Sequence, residues 1–152
     1  MENTFSIVTF LESYKNTASS ELGIIYVKFN DEPFPNNEWT DFGFTIIPWW
    51  TQEVKKLVDG SETSVSCEFM DGSYRYDISK VNSQVWKMSF IKEYADSENV
   101  LFTGRIKPKS VLDSLLHITN LMLQHIRTVK SDKINYWTER QLWLQEVTYN
   151  LF

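Results

Sequence analysis

Hydrophobic and polar residues alternate most cleanly on either side of Asp71-Gly72. Asp-Gly is a strong hairpin signal, favouring a two-residue type I′ turn. Counted outward from that turn, Phe69 faces Tyr74, Cys67 faces Tyr76 and Val65 faces Ile78, all on one side. The other side pairs Glu68 with Arg75 and Ser66 with Asp77. A slip of one residue would scramble both faces, so the pattern defines its own register. Two further alternating runs follow. Trp86, Met88 and Phe90 interleave with Lys87 and Ser89, and Val100, Phe102 and Gly104 interleave with Leu101, Thr103 and Arg105. With turns at Val81-Asn82-Ser83 and Asp96–Asn99, residues 63–106 read as a four-stranded antiparallel meander.

A period near 3.6 takes over at 109–130. Val111, Leu115, Ile118, Met122, Ile126 and Val129 form an apolar stripe, while Asp113, His117, Asn120, Gln124 and Arg127 line the opposite side. Pro108 precedes this helix and Ser110 is a candidate cap. In 132–150 the apolar positions fit both periods, and helix is the favoured reading. Upstream, Ile25, Val27 and Phe29 alternate as a strand, Phe5 to Leu11 reads as another, and Phe42 to Ile47 as a third. Pro48 then opens a helix in its first turn, where proline is tolerated, and Gly60 stops it after about Val58. The sum is an α+β fold with a mostly antiparallel sheet and helices packed on one face. The Pro-Asn stretch at 33–37 is too short for a linker, so residues 1–152 read as a single domain.

Composition narrows the chemistry. The 152 residues carry a net charge of −5 and are 15% aromatic, which implies a core built on ring packing and argues against a nucleic-acid binder. Charge is uneven: residues 1–62 hold ten acids and four bases, net −6, whereas residues 105–152 hold four acids and seven bases, net +3. Cys67 is the only cysteine, so no internal disulfide forms. It falls on the apolar face of the hairpin, as a buried inert thiol would. No apolar run approaches a membrane span. The opening MENTFSIVTFLES lacks the basic stretch of a secretion signal; a reducing cytoplasm is the expected compartment. His117 and His125 lie eight apart without companion ligands, so neither a metal nor another cofactor is expected. No nucleotide, zinc-protease or nucleophile-elbow motif is present.

The segment Asn30 to Trp50 combines Trp39, Trp49 and Trp50 with Asp31, Glu32, Glu38 and Asp41, and contains no Lys or Arg. Tryptophan is over-represented where binding energy concentrates, and an acidic surface steers basic partners. The candidate partner-binding residues are therefore Asp31, Glu32, Glu38, Trp39, Asp41, Trp50 and, from the hairpin, Tyr74. The carboxylates are the steering charges; Trp39, Trp50 and Tyr74 are the anchors. The alternative is a small carbohydrate- or ligand-binding enzyme that uses two of these carboxylates as acid and base with tryptophan walls.

Phe34-Pro35-x-x-x-Trp39-x-Asp41-Phe42, then Trp49-Trp50, then Phe69-Met70-Asp71-Gly72-x-Tyr74, resembles small bacterial proteins associated with immunity to secreted or contact-delivered toxins. The resemblance spans roughly residues 24–80 and carries over no catalytic residue. It implies a non-enzymatic protein whose partner is a cognate toxin; apart from the resemblance, the chain reads as a monomer or a homodimer that buries its aromatics. A nuclease toxin is basic because it grips phosphate, and an acidic inhibitor would occlude that surface. The motif's aromatic residues are expected to anchor the fold, and its carboxylates to face the partner.

Overall fold

The computed structural model describes residues 2–14, 22–128 and 133–151. The fold is α+β, as expected, with two antiparallel sheets and three helices. The first sheet holds β1 (Phe5–Thr9), β2 (Leu22–Phe29), β3 (Glu32–Phe34) and β4 (Thr40–Phe42). The second holds β5 (Ser64–Glu68), β6 (Tyr74–Lys80), β7 (Trp86–Glu93) and β8 (Glu98–Ile106) in sequential order. The helices are α1 (Gly43–Asp59), α2 (Pro108–Thr128) and α3 (Ile134–Leu151).

The meander has the register its pattern dictates: Val65 pairs with Ile78, Cys67 with Tyr76, Ser66 with Asp77 and Glu68 with Arg75. The turn itself differs. Only Gly72 adopts positive φ, 78°, so a type I′ turn is not formed. The Phe69 amide donates to the Tyr74 carbonyl at 3.1 Å, which makes residues 70–73 the loop. The Asp71 amide is drawn instead to a carboxylate from the first sheet.

In the first sheet β3 and β4 lie along the same side of β2. Val27 pairs with Phe34 and Ile24 with Thr40. Three steps along β2 are thus matched by six along its neighbour, and the excess is extruded between β3 and β4. Pro35 follows a cis peptide bond, and the Asn36 side chain accepts the Glu38 amide at 2.9 Å. The Ile25 amide then reaches the Trp39 carbonyl at 3.0 Å, restoring the pairing.

The two sheets face each other across interlocked rings. Phe29 and Phe34 meet Phe90 at 5.6 and 5.1 Å, and Phe5 meets Tyr76 at 5.5 Å. Such tilted and edge-on pairs satisfy the ring quadrupoles and add to area burial. Helix α1 packs against β5 and α2 beside β1, with α3 on α2. Leu112, Leu115, Ile118 and Met122 of α2 and Trp137 and Leu144 of α3 close the core.

Several sequence expectations are corrected. Of residues Phe42 to Ile47 only Phe42 is strand, as the end of β4: α1 begins at Gly43, and Pro48 is its sixth residue rather than in its first turn. Phe44, Ile46 and Ile47 are buried together; a helix burying much of its circumference reads like a buried strand because apolar residues run on without a break. The helix ends at Asp59, with Gly60 at φ 84° as its stop. Ser110 lies inside α2, which starts at Pro108, and does not cap it. Its hydroxyl accepts the Phe5 amide at 3.0 Å, and the Ser114 hydroxyl accepts the Ile7 amide at 2.9 Å. These two serines cover an otherwise unpaired strand edge. The ambiguous tail is helical from Ile134, residue 132 lying outside the described residues. Val129, assigned to the α2 stripe, lies outside the described residues.

Candidate functional site

The motif residues gather at one end of the sandwich. Trp39 stands edge-on to Phe69 and Tyr74, at 6.2 and 5.2 Å, and Phe34 contacts the same two rings at 5.9 and 5.6 Å. A methyl group on Gly72 would lie 2.7 Å from the Trp39 ring, so the hairpin loop fits under that indole only as glycine.

Asp41 is the centre of this clasp. It is fully buried, and its carboxylate accepts three N–H groups: the Trp39 indole at 3.1 Å, the Phe42 amide at 2.7 Å and the Asp71 amide at 3.0 Å. Hydrogen bonds from N–H donors are what make a buried carboxylate tolerable. The bond to Asp71 ties the first sheet to the second. Asp41 is therefore corrected from a steering charge to a fastening, and its oxygens are committed rather than poised as acid or base.

Trp50 is corrected as well. It has 0% exposure, packs edge-on to Phe69 and Tyr76 at 5.0 and 5.1 Å, and donates its indole N–H to the Glu68 carbonyl at 2.8 Å. Its neighbour Trp49 is the exposed ring, at 46%. Trp49 stands between two shallow hollows, one lined by Phe44, Pro48 and Tyr136, the other by Glu53, Ser66 and Glu68. The signal was present: Val54 and Leu57 follow Trp50 at intervals of four and three, which places Trp50 on the buried stripe. Trp39 and Tyr74 are half-buried within the clasp. The Lys92 ammonium lies 5.4 Å from the Tyr74 ring.

Two further groups of carboxylates bear on the site. On the outer face of the meander Arg75 is gripped by Asp77 at 3.0 Å, by Glu98 at 2.6 Å and by Glu93. These hydrogen-bonded carboxylates hold the guanidinium pKa above its usual value, against the opposing effect of burial. Asp31, Glu32 and Glu38 are exposed and, among the described residues, enter no ion pair. The structure does not bring all three to one spot. Asp31 and Glu32 lie at the β2–β3 turn, on the wall of an open groove of about 720 Å³ whose other wall is Leu101 to Gly104 of β8. Glu38 belongs to the extruded loop.

Cys67 is buried as expected. Burial pushes its thiol pKa well up and also raises that of its neighbour Tyr76. Among the described residues no three His, Cys, Asp or Glu side chains gather as a ligand set, and no helix is long and apolar enough to cross a membrane. No family model, curated protein or solved structure matches the chain.

Proposed function

We propose that this chain is a non-enzymatic, cytoplasmic protein-binding module, a bacterial immunity protein that neutralises a basic toxin, such as a nuclease, by occluding its active surface. The observation that carries the reading is that Asp31, Glu32 and Glu38 are exposed, enter no ion pair among the described residues, and fall in a segment, 30–50, that holds no Lys or Arg. Asp31, Glu32 and Glu38 are left with their charge unspent. Unmatched charge on a surface raises the encounter rate with an oppositely charged protein and loses that effect as salt screens it. The resemblance of the Phe34–Tyr74 motif to toxin-immunity proteins supports the same reading.

The test is affinity capture from the source cell on immobilised wild-type protein and on the Asp31→Lys/Glu32→Lys/Glu38→Lys variant, followed by association kinetics with the retained protein. Asp41 is left intact because its substitution would loosen the fold. The expected result is a basic protein held by the wild type, with an association rate that falls as ionic strength rises and falls further in the variant. Retention of no basic protein, or equal association by both forms at low salt, overturns the proposal.

A further inference from the structure

Strand β8 ends its sheet, and its backbone polarity can be read from the ladder. The Glu93 amide donates to the Ser73 carbonyl at 2.7 Å, so residues 93, 91, 89 and 87 of β7 face β6, and residues 92, 90, 88 and 86 face β8. Their partners on β8 include Phe102 and Gly104. The intervening Thr103 and Arg105 therefore turn their N–H and C=O groups outward. The Arg105 carbonyl confirms this: it accepts the Asn3 side-chain amide from outside the sheet at 2.8 Å. Among the described residues nothing covers Thr103 in this way. Its unpaired groups open on the groove whose opposite wall carries Asp31 and Glu32.

That wall is fixed in place. Asn30 sits in the left-handed region at φ 56°. Its side-chain oxygen accepts the Thr4 amide at 2.9 Å, and its backbone amide donates to the Thr4 carbonyl at 2.8 Å. The floor is apolar: Phe29 lies against Phe102, and a methyl on Gly104 would come within 2.4 Å of the Phe29 ring. The groove thus combines a free strand edge, a ring floor and two unpaired carboxylates.

We propose that this groove receives an extended, basic segment of the protein partner, which adds to the sheet as a strand along β8 and sets lysine or arginine side chains against Asp31 and Glu32. The inference rests on the occlusion reading above and names its seat. Main-chain pairing supplies affinity in strand addition, and side-chain chemistry supplies selectivity; here the two carboxylates select for positive charge. A second copy of this chain is a poorer occupant. Phe90 pairs with Phe102 but Ile91 with Val100, which leaves Leu101 as an extra residue that bends the strand. Such a bulge breaks the long flat edge that two copies would need, and a second copy would bring its own Asp31 and Glu32 rather than cations.

The experiment titrates the isotopically labelled full chain with a short acetylated peptide of alternating lysine and valine. Expected are amide shifts at Leu101 to Gly104 and at Asn30 to Glu32, with slowed exchange of the Thr103 amide. Affinity should fall about tenfold or more in the Asp31→Lys/Glu32→Lys variant, and vanish when alternate peptide nitrogens are methylated. Equal binding by the methylated peptide, shifts confined to other acidic surfaces, or a concentration-dependent dimer through β8 overturns the proposal. Thr103→Pro removes an outward N–H without breaking the ladder; should that variant not fold, the methylated peptide retains the test. A captured toxin that binds Thr103→Pro as tightly as wild type defeats strand addition alone. Peptide bound at β8 with no basic protein ever captured defeats the occlusion reading alone.

Discussion

Residues 30–50 divide into an inner and an outer set of the same residue types. Asp41 and Trp50 are buried, and each is tied by hydrogen bonds to the hairpin region of the second sheet. Asp31, Glu32, Glu38 and Trp49 stand in solvent. A carboxylate beside a cluster of N–H donors becomes a fastening, and one without them stays available. A tryptophan one helical position round from the core stripe is turned outward by about 100°. Residue type alone assigns neither role; donor geometry and helix phase do.

That division can be broken by substitution. Trp50→Ala should cost about 3–5 kcal/mol in urea unfolding, the range for emptying a large buried ring site, and a loss under 1 kcal/mol would place Trp50 outside the core. Asp41→Ala orphans the Asp71 amide and the Trp39 indole, so about 2–4 kcal/mol is expected. Asp41→Asn, which keeps one acceptor oxygen, should fall between that variant and wild type. Gly72→Ala meets both a left-handed backbone and the Trp39 ring, for a loss of about 1–3 kcal/mol; an unchanged midpoint would mean the loop can leave the indole freely. At the small end, Trp49→Ala and the Asp31→Lys/Glu32→Lys/Glu38→Lys variant should each shift stability by no more than about 0.5 kcal/mol. A large destabilisation in either would show that the outer set is structural after all.

Legibility in the sequence followed how local the determining contacts are. The register of β5 on β6 was readable to the residue because each alternating run constrains its neighbour, whereas the loop at 70–73 and the bulge at Leu101 were not; Gly60 was legible as the stop of α1. Gly43 to Ile47 was misread as strand since its residues are apolar on most sides, which erases the period that separates helix from strand. Taking Pro48 as a first-turn residue shifted the assumed start of α1, and naming Trp50 rather than Trp49 as an anchor passed over the spacing to Val54 and Leu57 that places Trp50 on the buried stripe. The role of Asp41 was hidden more deeply. Two of its donors are local, at Trp39 and Phe42, but the one that joins the sheets comes from Asp71, and no pattern along the chain links positions 41 and 71. The unpaired edge of β8 was equally silent, because an edge is defined by which strand fails to find a partner.

The hydroxyls of Ser110 and Ser114 that hold the Phe5 and Ile7 amides bridge 105 and 107 positions of the chain. Contacts of such separation are closed late, after the entropy of a long loop has been overcome. During synthesis the first strand can pair with β2 early, yet its outer edge stays bare until α2 has emerged from the ribosome. The two serines therefore act as a completion mark: β1 is shielded from stray pairing only once the chain has been made past Ser114.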